Sequence, residues 1–137
     1  MEKKIRMLLT RHPYDGHERG YNVVATGLRE RGIEVILGGT QLAGEIAETA
    51  IQEDVDFIGY RITSGEPTIL VEILFQKLKE KGTDIPVIVG GVVPTKDIPR
   101  LKEIGVIEIF RPGNSMDSIA DFIRNYHRGN QGGKEKS

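Results

Sequence analysis

Cysteine is absent from the 137 residues. Its absence excludes a disulfide framework, a thiolate metal site and a cysteine nucleophile, and it agrees with a reducing cytoplasm. A strong charge of either sign is also missing: 19 Lys and Arg stand against 20 Asp and Glu, for a net charge of −1. With no global field to attract nucleic acid or an anionic membrane, neither is expected as a partner. No window approaches the ~18 apolar residues of a membrane span. The start, MEKKIRMLLT, has too short an apolar run for a signal peptide. A soluble cytoplasmic domain is expected. Two motifs are missing as well. No G-x-G-x-x-G follows an apolar run, and no serine sits in a G-x-S-x-G turn, which argues against a dinucleotide site and the common hydrolase.

What is present is alternation. Short, nearly continuous runs rich in Ile and Val occupy 5–9, 33–37, 55–60, 87–89 and 106–110, as expected for strands covered on both faces of a parallel sheet. Segments of helical period lie between and after them, at 21–31, 42–53, 68–81, 98–104 and 115–126. In the third, Ile69, Ile73, Leu74 and Leu78 make one apolar stripe. Five strand-helix units joined by right-handed crossovers predict an α/β fold: a single doubly wound, five-stranded parallel sheet, flavodoxin-like or Rossmann-like, in the order 2-1-3-4-5. One domain over 1–127 is expected, with a disordered polar tail at 128–137. Ligands of such sheets bind beyond the carboxyl ends of the strands, where the winding reverses. The loops there are 11–20, 61–67, 90–95 and 111–114.

The first of these loops reads YDGHERG from Tyr14 to Gly20. A histidine in such a loop can bind a metal through one ring nitrogen while the other donates to a carboxylate, and Asp15 suits that role toward His17. One protein ligand does not hold a bare zinc ion, which takes three or four. A metal here would arrive inside its own macrocycle. On these residues alone the ordinary reading, a solvated loop that caps a helix, stays open. His12 and His127 read as solvated.

DGHERG closely resembles the D-x-H-x-x-G signature of cobalamin-binding domains in adenosylcobalamin-dependent mutases, above all the methylmalonyl-CoA mutase group. The resemblance runs from Ile5 to about Tyr126. It takes in VVATGLRERGIEVILGG, AIQEDVDFIG, VIVGGVVP and IFRPGN. It implies that cobalamin binds with its dimethylbenzimidazole tail off the cobalt and threaded into a slot beside the sheet. His17 would then ligate cobalt, held by Asp15. Tyr14, Gly16, Glu18, Arg19 and Gly20 would line the lower face of the corrin, and Val24 would pack along the slot. Gly90 and Gly91 would lie beneath the tail, with Phe110, Gly113 and Asn114 closing the other wall. The implied function is the small, cobalamin-binding subunit of an acyl-CoA mutase, an isomerase inactive alone. It would carry adenosylcobalamin to a large acyl-CoA-binding barrel subunit for radical rearrangement, the two forming a heterotetramer.

The likeness breaks in the third loop, and Arg11 stands where relatives tend to have lysine. The family's third loop has Ser-x-Leu, and this chain has Arg61, Ile62 and Thr63 there. Arg61 could narrow the slot, reach the nucleotide phosphate or point outward, while Thr63 or Ser64 could supply the lost hydroxyl. Gly65 matches a family glycine. The competing function is a stand-alone corrinoid carrier or a cobalamin-responsive regulatory module. Which acyl-CoA is rearranged is not written in this chain.

Overall fold

Strand and helix alternate along the whole chain in the computed structural model, which describes residues 4–12, 18–63 and 65–135. The elements are β1 (Arg6–Arg11), α1 (Glu18–Glu30), β2 (Glu34–Thr40), α2 (Ala43–Gln52), β3 (Phe57–Ile62), α3 (Pro67–Glu80), β4 (Val87–Gly91), a 3-10 turn (Thr95–Asp97), α4 (Ile98–Ile104), β5 (Glu108–Phe110) and α5 (Met116–Glu135). The strands form one parallel sheet in the order β2-β1-β3-β4-β5. This is the predicted winding, with the switch between β1 and β3.

Successive side chains of a strand point to opposite faces, so each central strand feeds two cores. Leu8, Ile58, Tyr60, Ile62, Val87 and Val89 meet Ile46 of α2, Val71, Leu74 and Leu78 of α3, and Leu101 of α4. Met7, Leu9, Phe57 and Ile88 meet Tyr21, Ala25 and Leu28 of α1, and Ala120 and Ile123 of α5. Gly32 and Gly82 follow α1 and α3 with φ of +86° and +72°, the left-handed conformation that glycine adopts without a Cβ penalty.

The details depart from the sequence reading in three places. α3 buries Pro67, Val71, Leu74 and Leu78, while Ile69 and Ile73 are 52% and 41% exposed. The stripe expected from Ile69 and Ile73 therefore mixes two helix faces, of which the sheet takes one. α5 continues through Glu135, across a segment whose composition predicts no structure. Arg128, Gly129 and Asn130 are exposed there. His127 is half-buried, its ring 6.2 Å from that of Phe57. No helix among the described residues is long and apolar enough to cross a membrane.

Tyr60 is 2% exposed on the α2/α3 face, and burial pushes its phenol up to about 12. A phenol whose folded value exceeds its unfolded value stabilises the fold below the unfolded value and loses that contribution as pH rises. Stability should fall between pH 10 and 12, by roughly 2–3 kcal/mol from this group at about 1.4 kcal/mol per unit. Urea titrations across that range should show Tyr60→Phe losing less stability than the unmodified chain, and parallel losses would contradict the assignment.

Candidate functional site

Glycine interrupts the α1/α5 face of the sheet. The pleat puts Phe57, Gly59 and Arg61 of β3, and Ile88 and Gly90 of β4, on that side, with Gly59 paired to Ile88 and Arg61 to Gly90. Two of these positions bring no side chain. A cavity of about 360 Å³ results, floored by Met7, Leu9, Gly59, Ile88 and Gly90. Val24 and Leu28 of α1 form one wall, and Met116 and Ile119 of α5 the other. The segment 110–114 closes one side, and Gly20 and Arg61 also line the cavity.

The walls are held from outside the slot. α1 and α5 approach closely at Gly27, where a Cβ would lie 2.7 Å from the Met116 Cε. Arg31 Nε pairs with Asp117 at 2.7 Å, and Arg124 donates to the Arg31 carbonyl at 3.0 Å. On the closing side, Asn114 Oδ1 accepts the Arg111 N–H at 2.8 Å, and the Asn114 N–H returns to the Arg111 carbonyl at 3.2 Å. Phe110 stands edge-on to Phe122, with ring centres 5.8 Å apart. Asn114 thus shapes the wall by holding its own turn.

The paired glycines differ in what they do. A Cβ on Gly91, at φ +119°, would run into the Ile62 carbonyl, so glycine there lets two backbones meet. A Cβ on Gly90 would meet only the Phe110 carbonyl oxygen, at an ordinary 3.7 Å. Gly90 leaves space that packing does not require.

Arg61 turns into this region rather than outward. Its guanidinium lies against Gly20 on the first turn of α1, where a Cβ would collide with it. Of the expected positions, Gly20, Val24, Arg61, Gly90, Gly91, Phe110, Gly113 and Asn114 line one cavity. Thr63 and Gly65 are not among its lining residues, and Arg19 faces a separate groove with Asn22 and Thr26. Glu18 opens α1. Tyr14, Asp15, Gly16 and His17, together with Ser64, lie outside the described residues. Gly59 and Met116 were not expected in the site. A glycine two residues before Arg61, inside an apolar strand, was the available signal for Gly59.

A mainly apolar slot floored in part by glycines suits a flat aromatic group. With Gly20, the last residue of DGHERG, among its lining residues, it is the cavity expected of a corrinoid-binding α/β domain. The B12-binding domain model matches residues 5–120, and the chain belongs to that family.

The chain is 40% identical over 122 residues to the 2-hydroxyisobutanoyl-CoA mutase small subunit of Aquincola tertiaricarbonis, covering 88% of itself and 90% of that protein. It is 38% identical over 123 residues to a methylmalonyl-CoA mutase of Cereibacter sphaeroides, covering 88% of itself but 17% of that longer protein. Among solved structures, a cobalamin-binding protein from Desulfitobacterium hafniense superposes with a TM-score of 0.71 at 20% identity, over 92% of this chain and 59% of that one. At that identity the likeness is one of fold.

Two predictions follow from the slot's construction. Gly90→Leu should fill the space, leave the melting temperature nearly unchanged and abolish cobalamin binding, whereas Gly91→Ala should destabilise the fold through its backbone. The reverse pattern in thermal melts and cobalamin titrations would refute these roles. Arg61→Ser should widen the slot and tighten cobalamin binding, and a titration showing weaker binding would refute the view of Arg61 as an obstruction.

Proposed function

We propose that the chain is the cobalamin-carrying small subunit of an adenosylcobalamin-dependent acyl-CoA mutase, acting with a separate large subunit that holds the acyl-CoA. The observation that carries this reading is the glycine-floored slot, which is lined by Gly20, the last residue of DGHERG, on the first turn of α1. Similarity along 90% of a mutase small subunit supports the two-chain arrangement, since a (β/α)₈ barrel needs ~250 residues of its own.

In this reading the slot takes the dimethylbenzimidazole tail between Val24 of α1 and the turn of Gly113 and Asn114. His17 presents a ring nitrogen to cobalt in place of that base, and Asp15 accepts the proton of the other nitrogen, which fixes the tautomer. Adenosylcobalamin, when bound, supplies a carbon radical through its cobalt-carbon bond. The chain's own contribution is binding and aim. Apolar walls would exclude water from the tail, His17 would hold the cobalt, and the large subunit would take the face left exposed. Two copies of each subunit, joined as a heterotetramer, complete the proposed assembly.

Produced with ¹⁵N-labelled histidine and mixed with cob(II)alamin, the purified chain should show two-line splitting from a protein nitrogen in place of the three lines of the tail base. His17→Ala should lose that splitting. An unchanged pattern in the variant would discard the ligand assignment, and failure to co-purify with any acyl-CoA-binding chain would favour the stand-alone carrier.

A further inference from the structure

The phenol of Tyr21 joins three elements at one point. Tyr21 sits on the first turn of α1 and is 4% exposed. Its hydroxyl donates to the Leu9 carbonyl of β1 at 2.8 Å and accepts the N–H of Gly39 in β2 at 2.9 Å. These strands fall out of step at that place: Leu9 pairs with Leu37, but Thr10 pairs with Gly39, leaving Gly38 as the extra residue. A bulge of this kind disrupts the ladder locally, and the phenol bonds to groups beside the break.

Other side chains tighten the same corner. The Thr10 hydroxyl lies 3.1 Å from the Gly39 carbonyl and 2.8 Å from Gln41 Oε1. Gln41 in turn donates its amide to the Thr49 hydroxyl of α2 at 3.0 Å and its backbone N–H to the Arg11 carbonyl at 3.0 Å. A Cβ on Gly38 would collide with Gln41 Oε1. The Arg11 guanidinium stands 4.9 Å from the centre of the Tyr21 ring. Thr10 and Gln41 tie strand to strand and to α2. Tyr21 bonds both strands to the first turn of α1.

α1 starts one residue after His17, and Tyr21 follows His17 by four, about one helical turn. A metal-ligand bond tolerates only about ±0.2 Å, so the place where α1 starts bears on whether an imidazole just before it can reach cobalt. We propose that Tyr21 is a positioning residue: its phenol pins the start of α1 to the β1–β2 bulge and so sets the reach of His17. This rests on the reading of His17 as the cobalt ligand. The loss from Tyr21→Phe should resemble that of removing a group that orients a metal ligand, about tenfold in affinity.

The test compares Tyr21→Phe with Thr10→Val, which cuts the strand tie and leaves the helix tie intact. Phenylalanine keeps the ring and its burial, and circular dichroism establishes that both variants are folded. Each is titrated with cob(II)alamin and examined by electron paramagnetic resonance. Tyr21→Phe is expected to bind about tenfold more weakly and to show protein-nitrogen splitting in a reduced fraction of the bound cofactor. Thr10→Val is expected to melt at lower temperature while keeping affinity and splitting. Unchanged affinity and splitting in Tyr21→Phe would overturn the proposal, and so would equal losses in both variants, which would mark general slackening. Absence of splitting in the unmodified chain is a separate result: it removes the histidine reading itself, and the positioning role with it.

Discussion

A parallel sheet covered on both faces is stabilised by filling them, and this one leaves space over Gly90, while Met7 and Leu9 crowd Gly59. Protein interiors are otherwise packed to crystal-like density, and buried space without atoms costs stability. The gap persists because its boundary is built separately. Met7, Leu9 and Ile88 floor it, while α1 and α5 are braced through Gly27, Met116 and the Arg31 contacts rather than by collapse onto the sheet. The opposite face, with Tyr60, Val71 and Leu74 nearly inaccessible, is an ordinary dense core. One sheet therefore anchors the fold on one side and shapes a ligand slot on the other.

Most of the fold was legible because its signals are local. Ile- and Val-rich runs separated by helical periods specify strands buried on both faces, and right-handed crossovers leave few ways to order them. Features that depend on how elements meet were not legible. Periodicity along α3 shows an apolar stripe but not which edge faces the sheet, so Ile69 and Ile73 were placed inside and lie outside. Composition at 128–135 shows nothing to bury, yet α5 runs on through Glu135.

The site divides in the same way. Gly20, Gly90, Gly91 and Phe110 came from motif order and converge on the slot. Gly59 shows in sequence only as a glycine inside an apolar strand, and Met116 as plain core. The bond from Tyr21 to Gly39 crosses a bulge that no spacing announces. Thr63 and Gly65 share the third loop with Arg61, but only Arg61 lies along the slot. That arginine stands where the resembling family has serine, and it brings a charged, bulky group to the cavity beside Gly20. Under the proposed function, selectivity for the corrinoid tail is the property it would bear on most directly.

The central claim is that a protein imidazole takes the place of the tail base on cobalt while the slot receives that base. The chain has three histidines, so it can be produced with ¹⁵N-labelled histidine and combined with unlabelled cob(II)alamin. Electron paramagnetic resonance then reads the donor directly: the account predicts that each cobalt line is split into two by a spin-½ nitrogen. Splitting into three, the pattern of an unlabelled nitrogen from the cofactor's own base, would contradict it.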